Sequence, residues 1–155
     1  MKIQIYTEVA MESNPGSGTW SFVAYDGRTR LFGNFHNFEY ETSNRAKLLA
    51  VLGAIEALEK RCEDISNYTI NTNFKVLADA IQFKWIENWS KNNWKNKQGV
   101  PIENKDLWEK ILEKISNGLD VVWVKKNAFR YKLPRKVSKE INFQSNPSRT
   151  KKERQ

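Results

Sequence analysis

The segment TSNRAKLLAVLGAIEAL, Thr42 to Leu58, places Leu48, Val51, Leu52, Ile55 and Leu58 at the spacing of one helical face, with Thr42 and Ser43 as capping residues. Strand-like segments lie on both sides of it, and that order constrains the fold. IQIYT (Ile3–Thr7), TWSFVAY (Thr19–Tyr25) and RLFGNFHNF (Arg30–Phe38) precede the helix, and YTINT (Tyr68–Thr72) follows it. SNPGSG and YDGR, the latter with Asp26-Gly27, are turn sequences between the first three strands, which predicts hairpins. A strand that comes after a helix needs a crossover, so YTINT is predicted to pair in parallel with an earlier strand.

Downstream, the pattern predicts a helix over 74–90, the polar loop KNNWKNKQGVPIEN and a helix from Lys105 to Ser116, with Gly118 as its stop. DVVWVKK (Asp120–Lys126) reads as a last strand, and Pro134 begins a weakly patterned helix reaching Phe143. SNPSRTKKERQ, without apolar periodicity, reads as a disordered tail. The expectation is one α/β domain over 1–144, a mixed five-stranded sheet with three antiparallel and then parallel strands flanked by helices. A basic tail over 145–155 follows it.

The net charge of +8 is unevenly placed. Residues 125–155 hold 11 Lys/Arg against 2 Asp/Glu, so the first 124 residues are nearly neutral. A basic C-terminal fifth points to a polyanionic partner; a merely solubilising tail is the bland alternative. No apolar run is long enough for a membrane span and no signal segment opens the chain, so an intracellular protein is expected. The single Cys62 cannot form an internal disulfide and reads as a core residue at a helix end.

Lys47 stands out within the amphipathic helix. It lies four residues before Val51, on the line of the apolar face, in the early turns where the helix dipole disfavours a cation.

Several local words in this order resemble type-1 ribonuclease H. IYTEVAMESNPGSGTW is similar to the family's first strand and Asn-Pro-Gly loop, and TSNRAK to its first helix start. NTNF is similar to the end of its fourth strand, KWIENWSKNNWKN and PIENKDLWEKI to the following helix and loop, and VWVKKNAF to the last strand and its exit. The resemblance spans about Ile3 to Phe143 and implies the ribonuclease H fold.

It also implies a site of four carboxylates holding two divalent cations across a phosphate of the RNA strand in an RNA–DNA hybrid. Two dications about 4 Å apart repel each other, so bridging oxygen ligands must neutralise them. Carried onto this chain, the carboxylate positions fall on Glu8, Lys47, Asn73 and, without gaps, Val137, and the family's histidine falls on Asn127. A shifted alignment would make Glu140 the fourth acid. The family's glycine after the first carboxylate is Val9. Lys47 either points its ammonium into the first metal's place and pairs with Glu8, where opposite unit charges ~4 Å apart attract by about 4 kcal/mol before desolvation, or snorkels to solvent.

The positions that hold nucleic acid in the family are better kept. Asn14, Ser43 and Asn44 match groups that approach the RNA strand, including its 2′-hydroxyl, and Thr42 and Asn104 match a pocket for a DNA-strand phosphate. Lys75 stands beside Asn73. Trp85, Trp89 and Trp94, with Lys84, Lys91, Lys95 and Lys97, match a basic protrusion that follows the DNA strand. Trp85 and Trp89 at i and i+4 fit helix packing equally well. Arg130, Lys132, Arg135, Lys136 and Lys139 add a basic surface after Asn127.

The resulting expectation is an inactive ribonuclease H-like protein, without enzymatic activity and without the family's Mg²⁺. It would be a monomer that binds RNA, a hybrid or structured RNA, or serves in a ribonucleoprotein. One alternative is an active metal-dependent nuclease with a site rebuilt around Glu8, Asp79 or Glu140; another is a protein-docking module.

Overall fold

The computed structural model describes residues 2–61 and 64–125. Its elements are β1 (Ile3–Met11), β2 (Gly16–Asp26), β3 (Thr29–Glu41), α1 (Ser43–Lys60), a short 3-10 turn (Ile65–Asn67), β4 (Tyr68–Thr72), α2 (Lys75–Gln82), α3 (Trp85–Lys91), α4 (Lys105–Ser116) and β5 (Asp120–Trp123). The sheet order is β3-β2-β1-β4-β5. β1, β2 and β3 are antiparallel neighbours, whereas β4 runs parallel to β1 and β5 parallel to β4. This is the expected mixed sheet, with the parallel pairing that the crossover through α1 demands.

Alternation along β1 assigns its two faces. Ile5 joins the main core beneath α1 with Phe22, Leu48, Val51, Ile55, Leu58, Ile70, Leu77 and Ile111, while Tyr6 packs with Val23 and Tyr25 on the opposite face. Within α1 the buried stripe is Ala46, Leu48, Ala50, Val51, Ala54, Ile55 and Leu58; the small alanines bring the helix close to the sheet. Leu52 is only partly buried and flanks that stripe. Gly53 meets the Trp20 ring so closely that a Cβ would overlap it.

Three boundaries differ from expectation. The hairpin strands run longer at their ends, because ladder pairing continues past the apolar pattern through pairs such as Glu8–Ser21 and Ala10–Thr19. The helix expected over 74–90 is two helices, broken at Lys84, whose φ is 60°. β5 ends at Trp123 rather than Lys126, since its partner β4 ends at Thr72 and the ladder stops there. Gly118 terminates α4 as expected, with φ 101° and the Leu119 N–H reaching back to the Lys114 carbonyl. Cys62, the helix expected from Pro134 and the 145–155 tail lie outside the described residues.

Candidate nucleic-acid interface and active site

β4 stops level with Thr7 of its parallel neighbour β1, which runs on to Met11, and the chain's odd residues collect where β4 stops. Tyr6 is level with Asn71 in the ladder, so Glu8 is level with Asn73, just beyond the end of β4. Clefts at the carboxyl ends of parallel strands, where connections leave in opposite directions, are the usual ligand positions of α/β sheets. The Phe74 N–H donates to the buried Thr72 hydroxyl at 3.0 Å, which fixes the turn that carries Asn73 into α2. Glu8, Lys47 and Asn73 are all half-buried.

Lys47 reaches this place from the second turn of α1. Its Nζ lies 5.1 Å from the centre of the Phe74 ring, and Phe74 follows Asn73 directly. A cation over an aromatic face gains roughly 0.5–1 kcal/mol at a partly exposed site, which offsets the poor position of a cation near a helix start. Lys47 therefore points across the end of β4.

A second cluster joins the start of α1 to the start of α4. Thr42 caps α1 by accepting from the Arg45 N–H at 3.2 Å. The Arg45 guanidinium donates to Asn104 Oδ1 at 3.1 Å and forks onto Asp106 at 3.0 and 2.8 Å, with Glu41 at 3.6 Å from its Nε. Those hydrogen bonds hold the Asp106 carboxyl below the usual carboxylate range and raise the Arg45 pKa. Asn14 Oδ1 accepts from the Ser43 N–H at 2.8 Å, so the β1–β2 loop is tied to the same helix end. Thr42, Ser43, Asn14 and Asn104, distant in sequence, thus form one surface, and Asn44 is exposed on it.

Sequence reasoning missed Arg45. Its only signal was the Asn-Arg pair inside the helix-start word TSNRAK, which says nothing of a partner some sixty residues away.

The third group is a handle built from α3 and the loop beyond it. Trp89 packs edge-on against the buried Trp108 with centroids 5.3 Å apart, whereas Trp85 is exposed and lies 6.5 Å from Trp89. The alternatives for these two residues therefore separate: Trp89 packs inward and Trp85 faces out. Trp94 also packs against the core, and Lys91, Lys95 and Lys97 are exposed. The polar loop is internally braced: Asn96 Oδ1 accepts from the Gln98 and Val100 N–H groups, each at 2.9 Å. Asn92 Nδ2 donates to the carbonyls of Lys95 and Asn96. A cleft of about 430 Å³ opens between Trp85, Asn88, Trp89 and Lys95. Lys84, Asn93, Trp94 and Asn104 hold left-handed backbone conformations around this handle, with φ from 55° to 62°.

Lys75 is exposed at the start of α2, with Nζ 3.3 Å from Asp79 and 5.2 Å from the centre of the Trp123 ring. Asp79 thus serves that ion pair, a helix turn beyond Asn73. Asn127, Val137, Glu140 and the basic residues Arg130, Lys132, Arg135, Lys136 and Lys139 lie outside the described residues.

Fold and site together define a ribonuclease H-like domain: a five-stranded mixed sheet, Glu8 level with Asn73 just past the end of β4, and a basic handle. The RNase H family model matches residues 1–128, so the chain belongs to the RNase H family. Ribonuclease H of Thermoanaerobacter sp. (strain X514) is 36% identical over 124 residues, covering 79% of this chain and 76% of that protein. Ribonuclease H of Rickettsia felis is 37% identical over 131 residues, with 82% and 80% covered. Among solved structures, LC11-RNase H1 isolated from compost superposes with a TM-score of 0.67 at 17% identity, covering 94% of this chain and 99% of its own. The same enzyme in complex with an RNA/DNA hybrid gives a TM-score of 0.61 at 20% identity, with 92% of both chains covered.

These relatives correct the expectation of an inactive chain that is not an enzyme. Proteins named Ribonuclease H at this identity, over most of both lengths, favour an active enzyme, and the expectation of no metal cofactor falls with it. The physical reason is that aligning single positions shows which oxygen donors have gone but not which acids approach the site from elsewhere in the fold.

For the divalent metal that the resemblance implies, the described donors are the Glu8 carboxylate and the Asn73 side-chain carbonyl. Among the described residues no group of three or more His, Cys, Asp or Glu side chains is arranged to hold a metal ion. The described residues alone do not fit a two-ion carboxylate set. Among the described residues, too, no helix is long and apolar enough to cross a membrane.

Proposed function

We propose that this chain is a ribonuclease H that hydrolyses the RNA strand of RNA–DNA hybrids at a site rebuilt around Glu8. The observation that carries the reading is its similarity to enzymes named Ribonuclease H across 79–82% of its length. LC11-RNase H1, which shares the fold, has been seen bound to an RNA/DNA hybrid.

The surface suits such a substrate. Asn14 keeps its amide hydrogens for a ribose 2′-hydroxyl because its Oδ1 is engaged by Ser43. Thr42 and Asn104, aligned by Arg45, receive a backbone phosphate. Trp85 and the lysines of the handle follow the second strand without reading its sequence. In the reaction water adds at phosphorus, the bond to the departing ribose oxygen breaks, and that oxygen takes up a proton. Glu8, on β1 just past the end of β4, orients the attacking water.

Incubation with a hybrid labelled on its RNA strand, with Mg²⁺ or Mn²⁺, tests the reading. Cleavage of the RNA strand is expected, with Glu8→Gln reducing the rate by about 10²-fold or more. Absence of cleavage with both ions would overturn it.

A further inference from the structure

The Lys47 ammonium is a fixed positive charge placed where an anion has to arrive. It is half-buried and leans at 5.1 Å on the ring of Phe74, the residue that follows Asn73 just past the end of β4. The Phe74 ring is itself 5% exposed and forms the start of α2, so the ammonium rests on a rigid support. Thr72 pins the turn beneath it. Nucleases of the two-ion type neutralise the phosphate at this stage with metal charge held by carboxylates. The described residues offer too few carboxylates for that set and supply a lysine instead.

We infer that Lys47 is a substrate-contacting residue whose ammonium pairs with a non-bridging oxygen of the phosphate held between Glu8 and the end of β4, contributing by side chain part of the positive charge the reaction requires. This rests on the hybrid-cleaving reading above. It differs from snorkelling, in which the same lysine would point to bulk water and touch no substrate. It also explains why the residue stays on the apolar line of α1: from there the long side chain reaches Phe74 past the end of β4, whereas a residue on the outer face would not.

The test is binding of an RNA–DNA hybrid in EDTA, where neither cleavage nor divalent metal contributes, for wild type, Lys47→Arg and Lys47→Met over a range of salt. One lost phosphate contact lowers the slope of log affinity against log salt by about one, and lowers affinity about tenfold at 0.1 M salt. Lys47→Met should show both losses and Lys47→Arg neither, with circular dichroism confirming that each variant is folded. Equal slopes for wild type and Lys47→Met, or no binding by wild type at low salt, would overturn the inference. Wild type that binds with the expected slope yet cleaves nothing in Mg²⁺ or Mn²⁺ would instead overturn the proposed activity and leave the Lys47 contact standing.

Discussion

Arg45 and Asp106 meet through two parallel hydrogen bonds, Nη1 to Oδ1 at 3.0 Å and Nη2 to Oδ2 at 2.8 Å, across sixty-one positions of sequence. The same guanidinium holds Asn104, so the fork fixes the distance between the starts of α1 and α4. Its bidentate geometry gives this link directional as well as electrostatic strength, and the Lys114–Glu59 ion pair joins the same two helices at their other ends.

Asp106→Asn should therefore cost modest stability, up to about 1 kcal/mol, because both side chains are substantially exposed. Its larger effect should be on the interface, since Asn104 loses a fixed neighbour. Hybrid affinity of Asp106→Asn, compared with its urea midpoint, checks this; unchanged affinity would show that Thr42 and Asn104 do not act together.

The same pair sets a pH dependence. The Asp106 carboxyl is held below its ordinary value of 3.8, chiefly by the Arg45 hydrogen bond. A depressed carboxylate contributes stability that is fully present above its unfolded pKa and is lost as pH falls through the folded one. The urea midpoint difference between wild type and Asp106→Asn should be constant from pH 7 to about 5 and should narrow below about 4.

Trp85 and Trp89 should behave oppositely. Trp89→Ala removes a ring packed on Trp108 and should destabilise by roughly 2–4 kcal/mol. Trp85→Ala, at an exposed position, should leave the melting temperature nearly unchanged and weaken hybrid binding several-fold. Thermal melts and binding titrations on both variants separate the roles.

Gly53→Ala should be destabilising although alanine favours helix. Its Cβ would press into the Trp20 ring, which is stacked on His36 at 5.3 Å and cannot withdraw freely. A loss of about 1–3 kcal/mol in chemical denaturation is expected. A gain would mean that Trp20 repacks.

Asn14→Ala should cost about 0.5–1.5 kcal/mol through the lost bond to the Ser43 N–H. Discrimination between hybrid and duplex DNA should fall as well, which competition binding measures.

Hydrophobic periodicity made most of the sheet and helices legible, because the stripe of α1 and the alternation of the strands record burial directly. The break at Lys84 was not legible: WIENWSK continues a helical pattern, and only the packing of α3 against Trp108 turns it away from α2. The bracing of the handle was hidden for a related reason. Asn92 and Asn96 read as solvent-facing polarity, yet their amides close the loop on itself.

The sequence by itself determined the order of elements and the parallel placement of β4, since strand period and crossover geometry admit few arrangements. It also carried the family resemblance, which implied the grouping of Glu8, Lys47 and Asn73 in one site. It misjudged activity, because replacing a residue at one aligned position removes a donor without fixing what surrounds the cleft. Tertiary structure alone decided that Lys47 leans on Phe74, that Arg45 joins α1 to α4, and that Trp89 packs inward while Trp85 faces out. Each of these depends on side chains far apart in sequence meeting in space, and no local pattern encodes such a meeting.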